Sequence, residues 1–293
     1  MIETLQTIWA FMKEGVIISV IVALVLPWVG AILLVRRTSF LGVAVPQFSA
    51  AGIALGLAAL PWFPALQQEY LDHGHPPLEY LFLFAAGAAA LALFAFGAMS
   101  SRRGGHLAEG QVAAGFALAT AIAMIALEFA PSGANLVETL QRGSVVVADV
   151  HSLGVVAVVD GLALIALFLL TPAILLISFD REMAVVLGHR PMRYELAWNT
   201  IVGASVGVGV MTIGPVLVFG LLFLPPLVAR QLASSMRQFL ALAVLLALLP
   251  ILLAWPASFE LDLPYGPTAT LALAVLVIPW GIMRILRARR AQG

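Results

Sequence analysis

Long apolar runs alternate with short polar stretches along almost the whole chain. A helix that crosses a bilayer needs about 20 mostly apolar residues. The runs at about Val16–Val35, Gly42–Leu60, Tyr80–Met99, Gln111–Ala130, Leu153–Ile177, Tyr194–Met211, Gly214–Leu232, Phe239–Ala257 and Thr268–Ile285 are each close to that length. The pattern predicts an all-α, polytopic membrane protein of about nine transmembrane helices, forming one transmembrane domain over residues 1–293. Ahead of the first run, Ile2, Leu5, Ile8, Trp9 and Met12 recur at helical spacing among polar residues. That segment fits either a helix lying in the membrane interface or an extension of the first span. Gln67–Glu79, with Glu69, Asp72, His73, His75 and Glu79, reads as a solvated loop that could also collect metal ions. Gly52-x-x-x-Gly56 and Gly203-x-x-x-Gly207 are small-residue faces suited to close helix packing.

One polar interruption has structure of its own. From Ser178 to Pro191 the chain reads as a small helix with both ends specified. Asp180 can cap the N-terminus by accepting from a backbone N–H two or three residues on. Glu182 puts negative charge in the first turn, where the helix dipole favours it. Gly188 suits the left-handed residue that ends a helix, and Pro191 bars continuation. Such a helix is too short to span a bilayer, so it lies outside the hydrocarbon. It is also too short to be stable alone, so it docks on something.

Charge orients the chain. With nine spans, Arg36, Arg37, Arg102, Arg103, Arg181, Arg190, Arg193, Arg230, Arg237, Arg284, Arg287, Arg289 and Arg290 share one side, 13 of the 15 basic residues. Only Lys13 and Arg142 fall opposite. The positive-inside rule makes the arginine side cytoplasmic, with the N-terminus outside and the C-terminus inside. The short helix is then cytoplasmic.

Composition agrees. Hydrophobic residues make up 62% and charged residues 10% of the chain, against about 45–50% and about 25% in soluble domains. The net charge is zero, so the total says nothing about partners; the expected surroundings are membrane lipid, with no nucleic acid partner. There is no cysteine, hence no disulfide and no thiolate metal site. The N-terminus lacks the basic region of a cleavable signal peptide. Lys13 is the sole lysine, so the chain has no Gly-x-x-x-x-Gly-Lys-Ser/Thr phosphate loop and hydrolyses no ATP itself. No nucleophile motif or His-rich metal cluster supports an enzyme. An ion-gradient transporter would show internal repeats and several buried charges, and neither is evident.

The short helix carries Phe179-Asp180-x-Glu182-x-Ala184-x-x-x-Gly188. It resembles the Glu-Ala-Ala-x-x-x-Gly segment by which ABC importer permeases dock on their ATPase subunits. More specifically it resembles the metal-ion permeases of ABC-3 type, which take up zinc, manganese or iron. The stretch from Gly214 to Pro225-x-x-x-Ala229-Arg230, the entry Asp262-Leu-Pro264-x-Gly266-Pro267-Thr268, Gly143-Ser144, and Arg36-Arg-x-Ser39-x-x-Gly42 are similar to that family in order and spacing. The resemblance implies a bacterial inner-membrane import permease that works as a homodimer. It implies a cytoplasmic ABC ATPase that binds the ATP, an extracytoplasmic solute-binding protein, and no cofactor on this subunit. It assigns ATPase coupling to Asp180, Glu182, Ala184 and Gly188, in a coupling helix over about residues 179–190.

One departure bears on cargo. Many family members carry Asp and His four residues apart near the start of the second span, on one helical face. Here those positions read Val43 and Gln47. Gln47 offers a neutral oxygen and an amide, whereas a bare divalent ion prefers His or carboxylate. The cargo could therefore be a metal complex. Other polar candidates for the pathway are Asn199, with its neighbour Thr200, Asp160 within the fifth span, and Asp262. An ionisable residue inside a span is a functional candidate by default.

Overall fold

The computed structural model describes residues 2–38, 40–73, 77–102, 109–130, 145–275 and 279. Ten helices carry the architecture: α1 Ile2–Val35, α2 Leu41–Ala59, α3 Pro64–His73, α4 Leu78–Arg102, α5 Glu109–Glu128, α6 Val150–Phe179, α7 Arg181–Val186, α8 Pro191–Ile213, α9 Pro215–Leu232 and α10 Met236–Leu261. An eleventh helical stretch, α11, covers 265–275. Among the described residues, eight helices are long and apolar enough to cross a membrane. The ninth expected span begins in α11, and the rest of it lies outside the described residues. So do Gly143-Ser144 and His75.

The N-terminal segment is helical. A break at Met12, where φ is −131° and ψ is 20°, sets it off from the apolar part of α1. Both readings of that segment, an interfacial helix and an extension of the first span, are compatible with this bend. The stretch Gln67–Glu79, expected as a solvated loop, begins inside a ten-residue helix, α3, which runs from Pro64 to His73. Pro64 opens it, and a proline is tolerated at the first helical position because its missing N–H has no partner there anyway.

The core is built round α1, which packs against α6, α9 and α10, while α2, α4, α5 and α8 form a second group linked to it through α2 and α8. Nothing hydrophobic drives helices together in lipid, so contact depends on close approach and on interhelical hydrogen bonds. Small residues supply the approach. Gly52 and Gly56 of α2 lie against Phe84 of α4, and Gly203 and Gly207 of α8 lie against Ala86 and Ala90 on the same helix. Both glycine faces read from the sequence therefore pack on α4. Side-chain bonds supply the rest: Trp28 donates to Thr171 at 3.2 Å, Trp255 to Ser19 at 3.1 Å, and Tyr80 to the Gly56 carbonyl at 2.8 Å.

The α1–α2 corner is tight. Thr38 N–H donates to Leu33 O at 3.0 Å and Arg37 N–H to Leu34 O at 3.2 Å. This is a Schellman cap with Arg37, not glycine, in the left-handed position at φ 56°. A side chain there costs about 1–2 kcal/mol, so tertiary contacts hold the corner.

A methyl group added at Gly52 would meet the Phe84 carbonyl and the Ala88 side chain, whereas at Gly87 nothing lies within 4 Å. Gly52→Ala should lower stability by about 1–3 kcal/mol, as overpacking does, and Gly87→Ala should not. Thermal unfolding of the two variants in detergent checks this.

Candidate functional site: the capped helix between two spans

A single residue separates the fifth span from the short helix. The Asp180 N–H donates to Leu176 O at 2.8 Å and closes α6. Its carboxylate accepts from the Met183 N–H at 2.8 Å and opens α7. The backbone turns there because Asp180 is extended, at φ −146° and ψ 93°. At the other end Gly188 takes φ 84°. His189 N–H reaches Ala184 O, and Gly188 N–H reaches Val185 O, both at 2.9 Å. That is a Schellman cap, and only glycine adopts it without steric cost. Pro191 then starts α8. His189 Nδ1 lies 3.1 Å from the Tyr194 hydroxyl, so the exit from α7 rests on the first turns of α8.

The four residues assigned to coupling thus occupy one capped turn. Ala184 is fully buried and seats α7 against its neighbours, while Asp180, Glu182 and Gly188 are exposed. Around them Phe179, Met183, Val185, Val186 and Leu187 expose apolar side chains, Val186 to 81%. Arg181, Arg190 and Arg193 stand on the same segment. Contiguous exposed apolar surface with a charged rim marks an interaction site. Counted along the antiparallel spans, Arg36, Arg37, Arg102, Arg230 and Arg237 end or begin helices on this same side.

The pathway candidates are not gathered into one cluster. Gln47 and Val43 are half-buried on α2, with Pro46 inside the helix. Asn199 is half-buried on α8, and Thr200 uses its hydroxyl to bond the Leu196 carbonyl. Asp160 is wholly buried where α6 meets α8, facing Ser205, with no aligned hydrogen bond between them. Asp262 is an exposed turn residue at φ 52° that ends α10, where Leu263 N–H bonds Ser258 O at 3.0 Å. Its position in the Asp-Leu-Pro motif is explained by that turn. Among the described residues no group of three or more His, Asp or Glu could hold a metal ion.

On the opposite side of the protein, an open groove of about 960 Å³ lies between the starts of α4 and α6. Phe82, Val155 and Val158 wall it, and Glu79 and His151 bridge it at 2.9 Å. Asp149 caps α6, and the Ser152 hydroxyl and N–H hold its carboxyl below the usual range. The sequence left His151 without a role, because its partner is more than seventy residues away. Glu195 was missed for the same reason: Arg36 Nη2 lies 2.7 Å from each of its carboxylate oxygens. No local pattern signals either pair.

The model of the ABC 3 transport family matches residues 9–284. The chain belongs to that family. It is a multi-pass membrane permease subunit, not an enzyme. A Haemophilus influenzae protein described as a "Probable iron transport system membrane protein" is 25% identical over 255 residues, 86% of this chain and 82% of the relative. The Yersinia pestis chelated iron transport system membrane protein YfeC is 22% identical, over 92% of this chain and 85% of its own. The solved PsaBC complex from Streptococcus pneumoniae shares the fold, with a TM-score of 0.75 at 17% identity, covering 94% of this chain and 93% of that one.

Asp180→Ala removes the side chain that caps the first turn of α7. The loss of an N-cap of this kind is typically about 1 kcal/mol, which is about fivefold in local opening. Hydrogen exchange at the Met183 amide should speed up by that factor while amides inside α6 stay unchanged.

Proposed function

We propose that this permease carries a divalent transition-metal ion, zinc, manganese or iron, into the cytoplasm, driven by ATP hydrolysed on a separate ABC ATPase. The observation that carries the reading is the short helix α7: capped at both ends, apolar and exposed, on the arginine-rich side of the chain. The positive-inside rule puts that side in the cytoplasm of a bacterial inner membrane, with the N-terminus outside. A capped helix with exposed Val186 and Leu187 suits a groove on a soluble ATPase and has no use in a permease that works alone. Two copies form the permease, each seated on one ATPase, and an extracytoplasmic binding protein delivers the cargo. This subunit binds no cofactor, and ATP stays with the ATPase.

A second reading concerns the form of the cargo. Val43 and Gln47 supply no carboxylate and no imidazole where the family pattern has both. An amide inside the membrane contacts cargo without burying a charge, which at mid-membrane costs about 3 kcal/mol on insertion scales. That favours a metal chelate, the cargo named for the Yersinia relative.

Uptake by cells lacking the native gene decides the reading. Cells expressing this permease with its ATPase and binding protein should accumulate labelled metal, and Gly188→Val should cut uptake at least tenfold by releasing the ATPase. Val43→Asp with Gln47→His should tighten binding of bare zinc or manganese. If the cargo is a chelate, the same double change should abolish native uptake. Normal uptake and normal ATPase co-purification by Gly188→Val would remove α7 from the coupling role.

A further inference from the structure

The polar contact with the most consequence on the arginine side joins Arg36, the first residue of the Arg36-Arg-x-Ser39-x-x-Gly42 motif, to Glu195, which no motif points to. Arg36 follows the last residue of α1, and Glu195 lies in the second turn of α8. Arg36 Nη2 sits 2.7 Å from both Oε1 and Oε2 of Glu195. The guanidinium also lies over the Trp198 ring, 5.7 Å from its centroid. Glu195 and Trp198 are three residues apart and so share one face of α8. The pair is largely shielded, with side-chain exposures of 17% and 28%. The other ion pairs among the described residues, Lys13–Glu14 and Glu79–His151, each have a side chain more than half exposed. Removing one partner of a shielded, short, charge-assisted pair costs more than breaking an exposed one, because the other charge is left without its partner.

What the pair ties together matters. On one side stands α7, whose cap residue His189 rests on Tyr194, the residue before Glu195. On the other side is the α1–α2 corner, locked by its Schellman cap at Arg37. Beyond that corner, α2 carries Val43 and Gln47 within its first two turns. A displacement of α7 is passed to the first turns of α8 through the His189–Tyr194 contact. α8 also packs directly on α2, but the corner that opens α2 is held to α8 by a polar bond, the Arg36–Glu195 pair.

We propose that the Arg36–Glu195 ion pair, seated on Trp198, is the relay that moves the α1–α2 corner with α7 and so couples ATPase docking to the cargo helix α2. Arg36 and Glu195 are positioning residues: neither touches ATP, and neither needs to touch cargo. This rests on the reading of α7 as the ATPase-docking helix.

Charge exchange tests it in the assembled transporter reconstituted in proteoliposomes. Metal uptake, ATP hydrolysis and co-purification of the ATPase are measured separately. Arg36→Glu and Glu195→Arg alone should each reduce metal moved per ATP at least tenfold, with the ATPase still bound. The two together should restore it to within about threefold of wild type. Arg36→Met with Glu195→Met replaces the pair by apolar side chains, a change that commonly leaves folding intact. It should melt within a few degrees of wild type and stay at least tenfold uncoupled. Wild-type transport by the methionine pair, or an exchange variant that folds and is no better than the singles, overturns the proposal. Loss of the bound ATPase in the single variants also overturns it, because the pair would then serve docking itself. Gly188→Val separates the two readings: if that variant keeps its ATPase, docking by α7 has failed, whatever the exchange shows.

Discussion

Outside the bilayer a six-residue helix has more unpaired backbone groups than paired ones. The structure depends on how those groups are satisfied between Phe179 and Pro191. Asp180 serves two helices at once, closing α6 with its N–H and opening α7 with its carboxylate. Gly188 and His189 return the last carbonyls through a left-handed turn. With both ends tied off and Ala184 buried, the remaining side chains are free to face outward. That is why a chain so apolar can present Met183, Val185, Val186 and Leu187 to water without the segment collapsing on its own spans. The same two caps fix the geometry with which α6 leaves the membrane and α8 re-enters it.

Inside the membrane the fold economises on polar groups. Trp28, Thr171, Ser19, Trp255 and Tyr80 form single bonds that mark where helices meet, while glycine and alanine decide how closely. Against that background Asp160 stands out, buried with Ser205 and without an aligned partner. The two pairs that cross between distant helices, Glu79–His151 and Arg36–Glu195, sit at opposite ends of the spans. One bridges an open groove between α4 and α6, and the other is sealed by Trp198. The shielded pair lies next to the capped helix, since Glu195 follows Tyr194, on which His189 rests.

Much of this was legible in the residues. Spans follow from apolar run length, and eight of the nine expected appear among the described residues, with ends shifted by a few positions except at the first, which starts at Gln6 rather than Val16. The caps of α7 were legible because Asp180 and Gly188 act on their own neighbours. The glycine faces were legible because helical periodicity puts them on one side, although not which helix they meet. What stayed hidden depends on residues far apart in the chain. Arg36 finds Glu195 across 159 positions, and Glu79 finds His151 across more than seventy. The helix α3 was hidden for another reason: its acidic and histidine residues read as a loop, while Pro64 at its first position is compatible with a helix start. Asp262 belongs to a turn, which a motif comparison alone does not reveal.

The central claim is that α7 faces the cytoplasm and is covered by an ATPase subunit. The chain has no cysteine, so Val186→Cys creates a unique thiol at the most exposed apolar residue of that helix. A membrane-impermeant maleimide should label it in inside-out vesicles and not in intact spheroplasts, and adding the ATPase subunit should suppress that labelling at least tenfold. Labelling from the outside, or labelling from the inside that the ATPase leaves unchanged, would contradict the account.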